Sequence, residues 1–417
     1  MLVYQPAQHR LSAQAPIRHQ RRGPGTKLLL LAVLLLLGQS SSAQNSVNSA
    51  PEVYITVFTH GTIHPHVNLQ DLNLVIEDRI EYSHYYYVNE WHRQDPIYFK
   101  TQAMQGEGLQ LIELDPPGKP KSNGATALAN IYEYFAQKTH PQRQNFYYTF
   151  GWSGLLSANK RLEAAAAFHQ SLKQLLTEFR QQGIEPKLRL VGFSHGGTIT
   201  LDLGLFEPDD VTQIAVPVTE LILLGTPVQK ETECLVDHPM FQRVFHFYSR
   251  GDFPQTSDYI STDYWFCHWR FMSHDFCLFR GPGQQFKLPD KLTQIELDID
   301  LHGQIMQPKH TELWTFAWMQ KSYRQKFPLS PVPVAAVMPA VIRLIEAYVP
   351  HTTTDLAATI KACEGELQLR ELYQNLRTKE APISVPFLSY TDRQAVLEIA
   401  ERFEPTPQTR QKVRRSA

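Results

Sequence analysis

The chain has 417 residues, 42% hydrophobic and 19% charged, with 40 basic against 41 acidic side chains and a formal net charge of -1. That is ordinary globular composition, enough for one large core plus an appendage. It lacks the basic excess that a nucleic-acid binder usually carries.

The charge is uneven. Residues 1–43 hold Arg10, Arg18, Arg21, Arg22 and Lys27 and no acid, so the rest of the chain is net acidic. Ten apolar residues, Leu28 to Leu37, follow the basic stretch, and Ser41-Ser42-Ala43 places small residues where a signal peptidase reads them. This is the order of a secretory signal. Ten residues span ~15 Å as a helix, about half a bilayer core, which argues against a transmembrane helix. The expectation is export to the periplasm or medium, with retention of the segment as an N-terminal anchor the alternative. Residues 44–51 read as a linker.

Val53 to Phe58 is a β-branched and aromatic run, read as a buried strand ending in His60-Gly61-Thr62. Residues 63–143 read as an insertion, helical at Asp71 to Val88 and Ala125 to Lys138, with a turn at Asp115-Pro-Pro-Gly. Asn145 to Phe150 is a second strand, running into Gly151-Trp152-Ser153-Gly154. Apolar residues recur at helical spacing from Lys160 to Gln182, and Gly183 stops that helix. Lys187 to Val191 is a strand and Gly196 to Leu205 a helix. Leu221 to Leu224, Val244 to Tyr248 and Gln294 to Leu301 are further strands, and Thr311 to Tyr323 is helical. Strands alternating with helices predict an α/β fold with a mostly parallel central sheet and helices on both faces. Beyond a proline-spaced linker from Pro328, a helical C-terminal extension is expected over 328–417: Ala335 to Tyr348, Thr354 to Arg377, Thr391 to Phe403, then a basic tail.

Gly192-Phe193-Ser194-His195-Gly196 is a G-x-S-x-G between a strand and a helix, the context of a nucleophile elbow. Such a turn holds Ser194 in a strained conformation. Side chains two residues either side of it would strike neighbouring backbone, hence Gly192 and Gly196. The backbone N–H of His195 then points to where an oxyanion develops, at a helix N-terminus. The other reading is a tight turn with a capping serine. Thr62, after the first strand, is the candidate for the second oxyanion donor, and His60 reads as a packed prop for that loop. A metal held by His60, His64 and His66 is a competing reading without an acidic or cysteine ligand nearby.

A serine needs a base, and the base an orienting carboxylate, in the chain order Ser, acid, His. Asp252, on the loop after Val244 to Tyr248, is the candidate acid, with Asp263 in reserve. His310, on the loop before a helix, is the candidate base, with His302 in reserve. Trp152 and Ser153 either line the substrate pocket or brace the loop. Tyr264, Trp265, Phe266, Trp269, Phe271, Phe276 and Phe279 make residues 254–290 a lid, an acyl-binding wall or a subsidiary core. Among Cys234, Cys267, Cys277 and Cys363, the pair closest in sequence, Cys267 and Cys277, is the expected disulfide, with buried thiols the alternative. No cysteine spacing points to zinc.

These motifs resemble the α/β-hydrolase lipases and esterases, especially bacterial serine esterases with a strand-HGT start (His60-Gly61-Thr62), an F-x-W-S-G segment (Phe150 to Gly154) and a G-x-S-H-G-G elbow (Gly192 to Gly197). Gly225-Thr226-Pro227 is similar to the lipase GTP strand end. The resemblance covers about residues 52–325 and implies a hydrolase domain over 52–327. It implies hydrolysis of carboxylic esters through an acyl-enzyme, with no cofactor. The substrate class is a small-molecule or lipid ester. Acyl transfer by the same triad and a non-catalytic binding protein on the same scaffold are the alternatives. Oligomeric state stays open, as does a peripheral membrane contact through the basic tail.

Overall fold

The computed structural model describes residues 52–63, 67–68, 70–95, 101–114, 124–256, 267–273, 286–319, 329–350, 355–361, 363–372 and 382–405. The expected signal segment and linker, His64, His66, Asp263, Cys277 and the basic tail lie outside them, as do Tyr264, Trp265, Phe266, Phe276 and Phe279.

Seven strands run parallel through the middle of one large sheet: β1 (Val53–Thr59), β3 (Gln144–Gly151), β4 (Lys187–Phe193), β5 (Glu220–Leu224), β7 (Val244–Tyr248), β9 (Leu292–Leu301) and β11 (Asp355–Lys361). Their spatial order is β11-β9-β7-β5-β4-β1-β3. Antiparallel strands finish both edges: β2 (Gly108–Leu111) beside β3, and β12 (Glu366–Glu371) and β13 (Ile383–Pro386) beyond β11. β10 (Gln304–Met306) folds back on β9, and β6 (Val228–Gln229) with β8 (Cys267–His268) forms a separate two-stranded ribbon.

The central strands are apolar on both faces because both faces are covered. Ile55, Val57, Leu188, Leu190, Leu221 and Leu223 enter one core, with α4 (Ala158–Arg180) and α5 (His195–Asp202). Phe58, Val191, Phe193, Ile222, Leu224 and Phe245 enter the other, with α3 (Gly124–Thr139), α7 (Met338–Tyr348) and α8 (Tyr390–Arg402). Successive residues of β4 and β5 divide between the two cores, as the period of two requires. The α4 helix starts where Ser157 Oγ accepts the Lys160 N–H at 3.0 Å, a cap worth about 1 kcal/mol. It stops before Gly183, whose φ of +75° suits glycine.

The structure departs from the sequence reading in four places. The helix expected at Asp71 to Val88 is broken into α1 (Leu72–Ile76), a 3-10 turn at Ile80–Tyr82 and α2 (His84–Gln94). Asp78 sits at φ 52°, Ser83 caps α2, and the Asp71 carboxylate takes the His84 and Tyr85 N–H groups. These local side-chain acceptors compete with a continuous helix. The 63–143 segment is not wholly an insertion, since β2 extends the sheet and α3 covers one face. Thr311 to Tyr323 is shorter than expected: α6 (His310–Trp314) ends before a 3-10 turn at Ala317–Met319.

The largest departure is the C-terminal extension. Residues 355–361 and 366–371 are strands, not the expected helix, and they continue the main sheet. Their apolar residues alternate: Leu356, Ala358 and Ile360 face the core, as do Leu367 and Leu369. β11 takes the free edge of β9, and β11 in turn supplies the backbone partners that outweigh the helix propensity of the Glu-Leu-Gln-Leu-Arg-Glu run of β12. The helices on either side are docked too. Tyr132 Oη donates to the Ala335 carbonyl at 3.1 Å, and Tyr134 Oη to Asp392 Oδ1 at 2.7 Å.

Candidate active site

The site forms where the parallel strands end. β4 runs into Ser194, at φ 53° and ψ -131°, and α5 begins at the next residue. A non-glycine residue held there stores about 1–3 kcal/mol of strain, which the surroundings must offset. They do so through the ladder: Ser194 N–H donates to the Leu224 carbonyl at 2.9 Å, and Gly197 N–H to the Ser194 carbonyl at 2.9 Å. A Cβ on Gly196 would stand 2.4 Å from the carbonyl oxygens of Thr59 and His60, and one on Gly192 would stand 2.6 Å from the Gly197 Cα. Both glycines are therefore demanded by backbone, not by a movable side chain.

His60 fixes the loop beside the serine. It is buried, and its Nδ1 lies 2.8 Å from the Gly61 carbonyl while its Nε2 receives the Trp152 N–H at 3.3 Å. A carbonyl requires a donor and an N–H requires an acceptor, so the ring is neutral with its proton on Nδ1. Burial, opposed by the bond to Gly61, pushes its pKa down to about 4. Both ring nitrogens are engaged, which leaves neither for a metal and removes His60 from the metal reading. Trp152 Nε1–H donates to the His60 carbonyl at 2.8 Å, and the two rings stack with centroids 5.8 Å apart. Trp152 thus braces the loop. Its indole is buried and its polar groups face His60.

The braced loop presses on Ser194: a Cβ on Gly61 would stand 2.6 Å from Ser194 Cβ. Thr62 follows directly. The chain runs beside the Trp152 loop, with Ile63 N–H donating to the Gly154 carbonyl at 3.0 Å. The Thr62 and Ser153 hydroxyl oxygens are buried with no protein partner among the described residues. His195 opens α5 and is buried.

Asp252 and His310 come together from residues 58 apart in sequence. His310 Nδ1 lies 2.8 Å from the Asp252 carboxylate, which is fully buried. The His310 ring packs on Phe193, with centroids 4.6 Å apart, and Phe193 stacks on Trp314 at 5.3 Å and 4°. The residue before the serine thus seats the histidine. His302 is elsewhere. It occupies the β9–β10 turn at φ 53°, with Nε2 3.7 Å from Cys363 Sγ.

Sequence reasoning missed Gln255. It is fully buried, its backbone N–H donates to Asp252 Oδ1 at 3.1 Å, and its side-chain amide donates to the carbonyls of Thr226 (2.8 Å) and Trp269 (3.0 Å). One residue therefore ties the acid, the end of β5 and the 267–273 segment together. No local pattern marks its side-chain contacts, since Thr226 and Trp269 come from two other loops. Gly225, at φ 54°, leaves room for the acid: a Cβ there would stand 2.6 Å from Asp252 Oδ2.

The 267–273 segment holds both buried and exposed aromatic residues. Phe271 is buried against His246, and Gln294 holds its backbone by accepting its N–H at 2.7 Å and donating to its carbonyl at 3.2 Å. Phe253 and Trp269 remain exposed, by 74% and 40%. The disulfide expectation is corrected: Cys234 is disulfide-bonded, whereas Cys267 and Cys363 are thiols outside any disulfide. Cys267 instead lies on β8, in register with Gln229.

Comparison with protein-family models, with curated proteins and with solved structures finds no match for the chain.

Proposed function

We propose that the protein is a serine hydrolase of the α/β-hydrolase fold that cleaves carboxylic esters through an acyl-enzyme. The contact between the Asp252 carboxylate and His310 Nδ1 carries this reading. With the Nδ1 proton directed at Asp252, Nε2 is left as the base, and the carboxylate favours the imidazolium that forms when Ser194 is deprotonated. The positive φ of Ser194, the glycines packed around it and the strand order β3-β1-β4-β5-β7-β9 support it. His310 takes the Ser194 proton as Oγ attacks the ester carbonyl and returns it to the leaving alcohol. A second attack by water, assisted by the same histidine, releases the acid. The N–H groups of His195 and Thr62 are the proposed oxyanion donors, and the Ser153 hydroxyl, buried without a protein partner among the described residues, is a proposed substrate contact.

An acyl ester with an apolar chain suits Phe253 and Trp269, which flank the acid loop and stay exposed. Export is part of the same proposal and is supported by the disulfide at Cys234, since such bonds persist in oxidising compartments. The test is labelling by a fluorophosphonate together with p-nitrophenyl ester turnover. Wild type is expected to label and turn over, and Ser194→Ala to lose both, with turnover lower by on the order of 10⁴-fold or more. Well-folded wild type that neither labels nor turns over would overturn the reading.

A further inference from the structure

At the opposite, amino-terminal edge of the sheet lies a cleft of about 310 Å³, within the range of small-ligand sites. Its floor is the start of the strands: Tyr54 of β1, Arg189 of β4, Glu220 of β5, and Arg243 just before β7. One wall is the end of α3, through Phe135, Ala136 and Thr139. The other is α7, through Pro339, Ile342 and Arg343.

The charges lining it do not cancel. Arg143 is paired with Glu52 at 2.7 Å, Arg189 with Glu220 at 2.7 Å, and Arg243 with Glu346. Arg343 has no carboxylate partner among the described residues and stands exposed at the mouth. Arg143 also lies over the Tyr54 ring at 3.9 Å, and Lys187, which shares Glu52, lies 5.6 Å from the same ring. Among the lining side chains, four arginines thus face two carboxylates, Glu220 and Glu346. His140 lines the cleft as well. Its pKa is lowered first by burial and then by Arg143, Arg189 and Arg343, against Glu52.

Each paired guanidinium has five N–H donors, more than one carboxylate can accept. The Arg243–Glu346 pair is partly exposed, so water and salt screen it and its hold on the two side chains is weak. Apolar walls sit directly beside these donors. We propose that this cleft binds a small organic carboxylate, its head held by Arg343 and Arg243 and its short apolar tail laid along Phe135, Ala136 and Ile342. A carboxylate suits the site better than a phosphate: the excess positive charge is small, and planar guanidinium forks match a planar carboxylate. This inference does not depend on the proposed chemistry at Ser194, which lies at the other end of the strands.

The test is calorimetric titration of the full chain with octanoate, and separately with inorganic phosphate. Wild type is expected to bind octanoate at one cleft site more tightly than phosphate. Arg343→Gln, an exposed change that leaves the fold intact, is expected to weaken octanoate about tenfold, the loss expected for one charge-assisted contact. Thr139→Phe, which fills the cleft from α3, is expected to abolish it. Octanoate that binds wild type and both variants alike is seated elsewhere, at Ser194 for example, and overturns the proposal. Phosphate bound in the cleft more tightly than octanoate overturns the carboxylate assignment, and an absence of heat with octanoate overturns the site.

Discussion

The two ends of one parallel sheet hold polar groups in opposite ways. At the carboxyl end, Asp252, His310, His60 and Gln255 are fixed by directed hydrogen bonds, and Gly225 packs against Asp252 and His310 with no room for a side chain of its own. At the amino end, long arginine and glutamate side chains pair across an open cleft. The first arrangement suits chemistry, where an error of about 1 Å can cost on the order of 10²-fold in rate. The second suits binding, because flexible cations can exchange one carboxylate for another. Loops that begin where strands end are aimed by the sheet, so the carboxyl edge is where residues distant in sequence converge.

Substitutions at the carboxyl end should therefore have large effects on rate with little loss of fold, and after Ser194 the largest is expected at Asp252. Asp252→Asn keeps the volume but presents the wrong partner to His310 Nδ1. Under the proposed mechanism, ester turnover should fall by on the order of 10⁴-fold at pH 7 with the thermal midpoint nearly unchanged. A fall of less than tenfold would mean that Asp252 does not orient the base.

Gln255→Ala should act through Asp252 and cost less, about 10- to 100-fold in kcat with KM for a short ester little altered. The pH dependence of fluorophosphonate labelling should shift with it, because the Asp252–His310 contact loosens. A residue with only a packing role would lower the thermal midpoint and leave that profile in place.

Acid sensitivity separates the groups by sign. His60 and His246 are buried and neutral, with burial pushing each pKa from 6.5 to about 4. The unfolded chain binds these protons first, so the stability they contribute is present above pH 6.5 and is lost as pH falls toward 4, on the order of 3 kcal/mol each. Asp202 runs the other way. Burial, opposed by Arg161, raises its pKa to about 7, so its native form gains a proton early and its contribution is lost as pH rises from 3.8 to 7. Urea midpoints measured between pH 7 and 4.5 should fall on acidification. His246→Asn should flatten that slope and Asp202→Asn should steepen it. Unchanged slopes in both variants would place these groups in contact with water. The smallest effect is expected at Arg343→Gln without ligand, where neither turnover nor stability should change, since the side chain is exposed and unpaired among the described residues.

The sequence by itself determined the parts governed by local sterics and chain order. Gly192-x-Ser194-x-Gly196 between an apolar run and a helix dictated the strained turn, because backbone crowding at such a turn admits only glycine on either side. Asp252 was placed by the buried run Val244–Tyr248 before it, and His310 by the alternating strand Leu292–Leu301 and the helix that starts at it. The seven-strand parallel core was legible in six of its strands through runs of the same kind. Only the tertiary structure decided the rest. Residues 355–361 and 366–371 carry helix-forming side chains, yet the first run pairs with β9 and the second with the first, because each edge would otherwise leave backbone groups unpaired. The side-chain bridge from Gln255 to Thr226 and Trp269 and the arginine cleft join residues far apart in the chain. Nothing within a few residues of any of them signals the partner, and folding alone sets the distance between them.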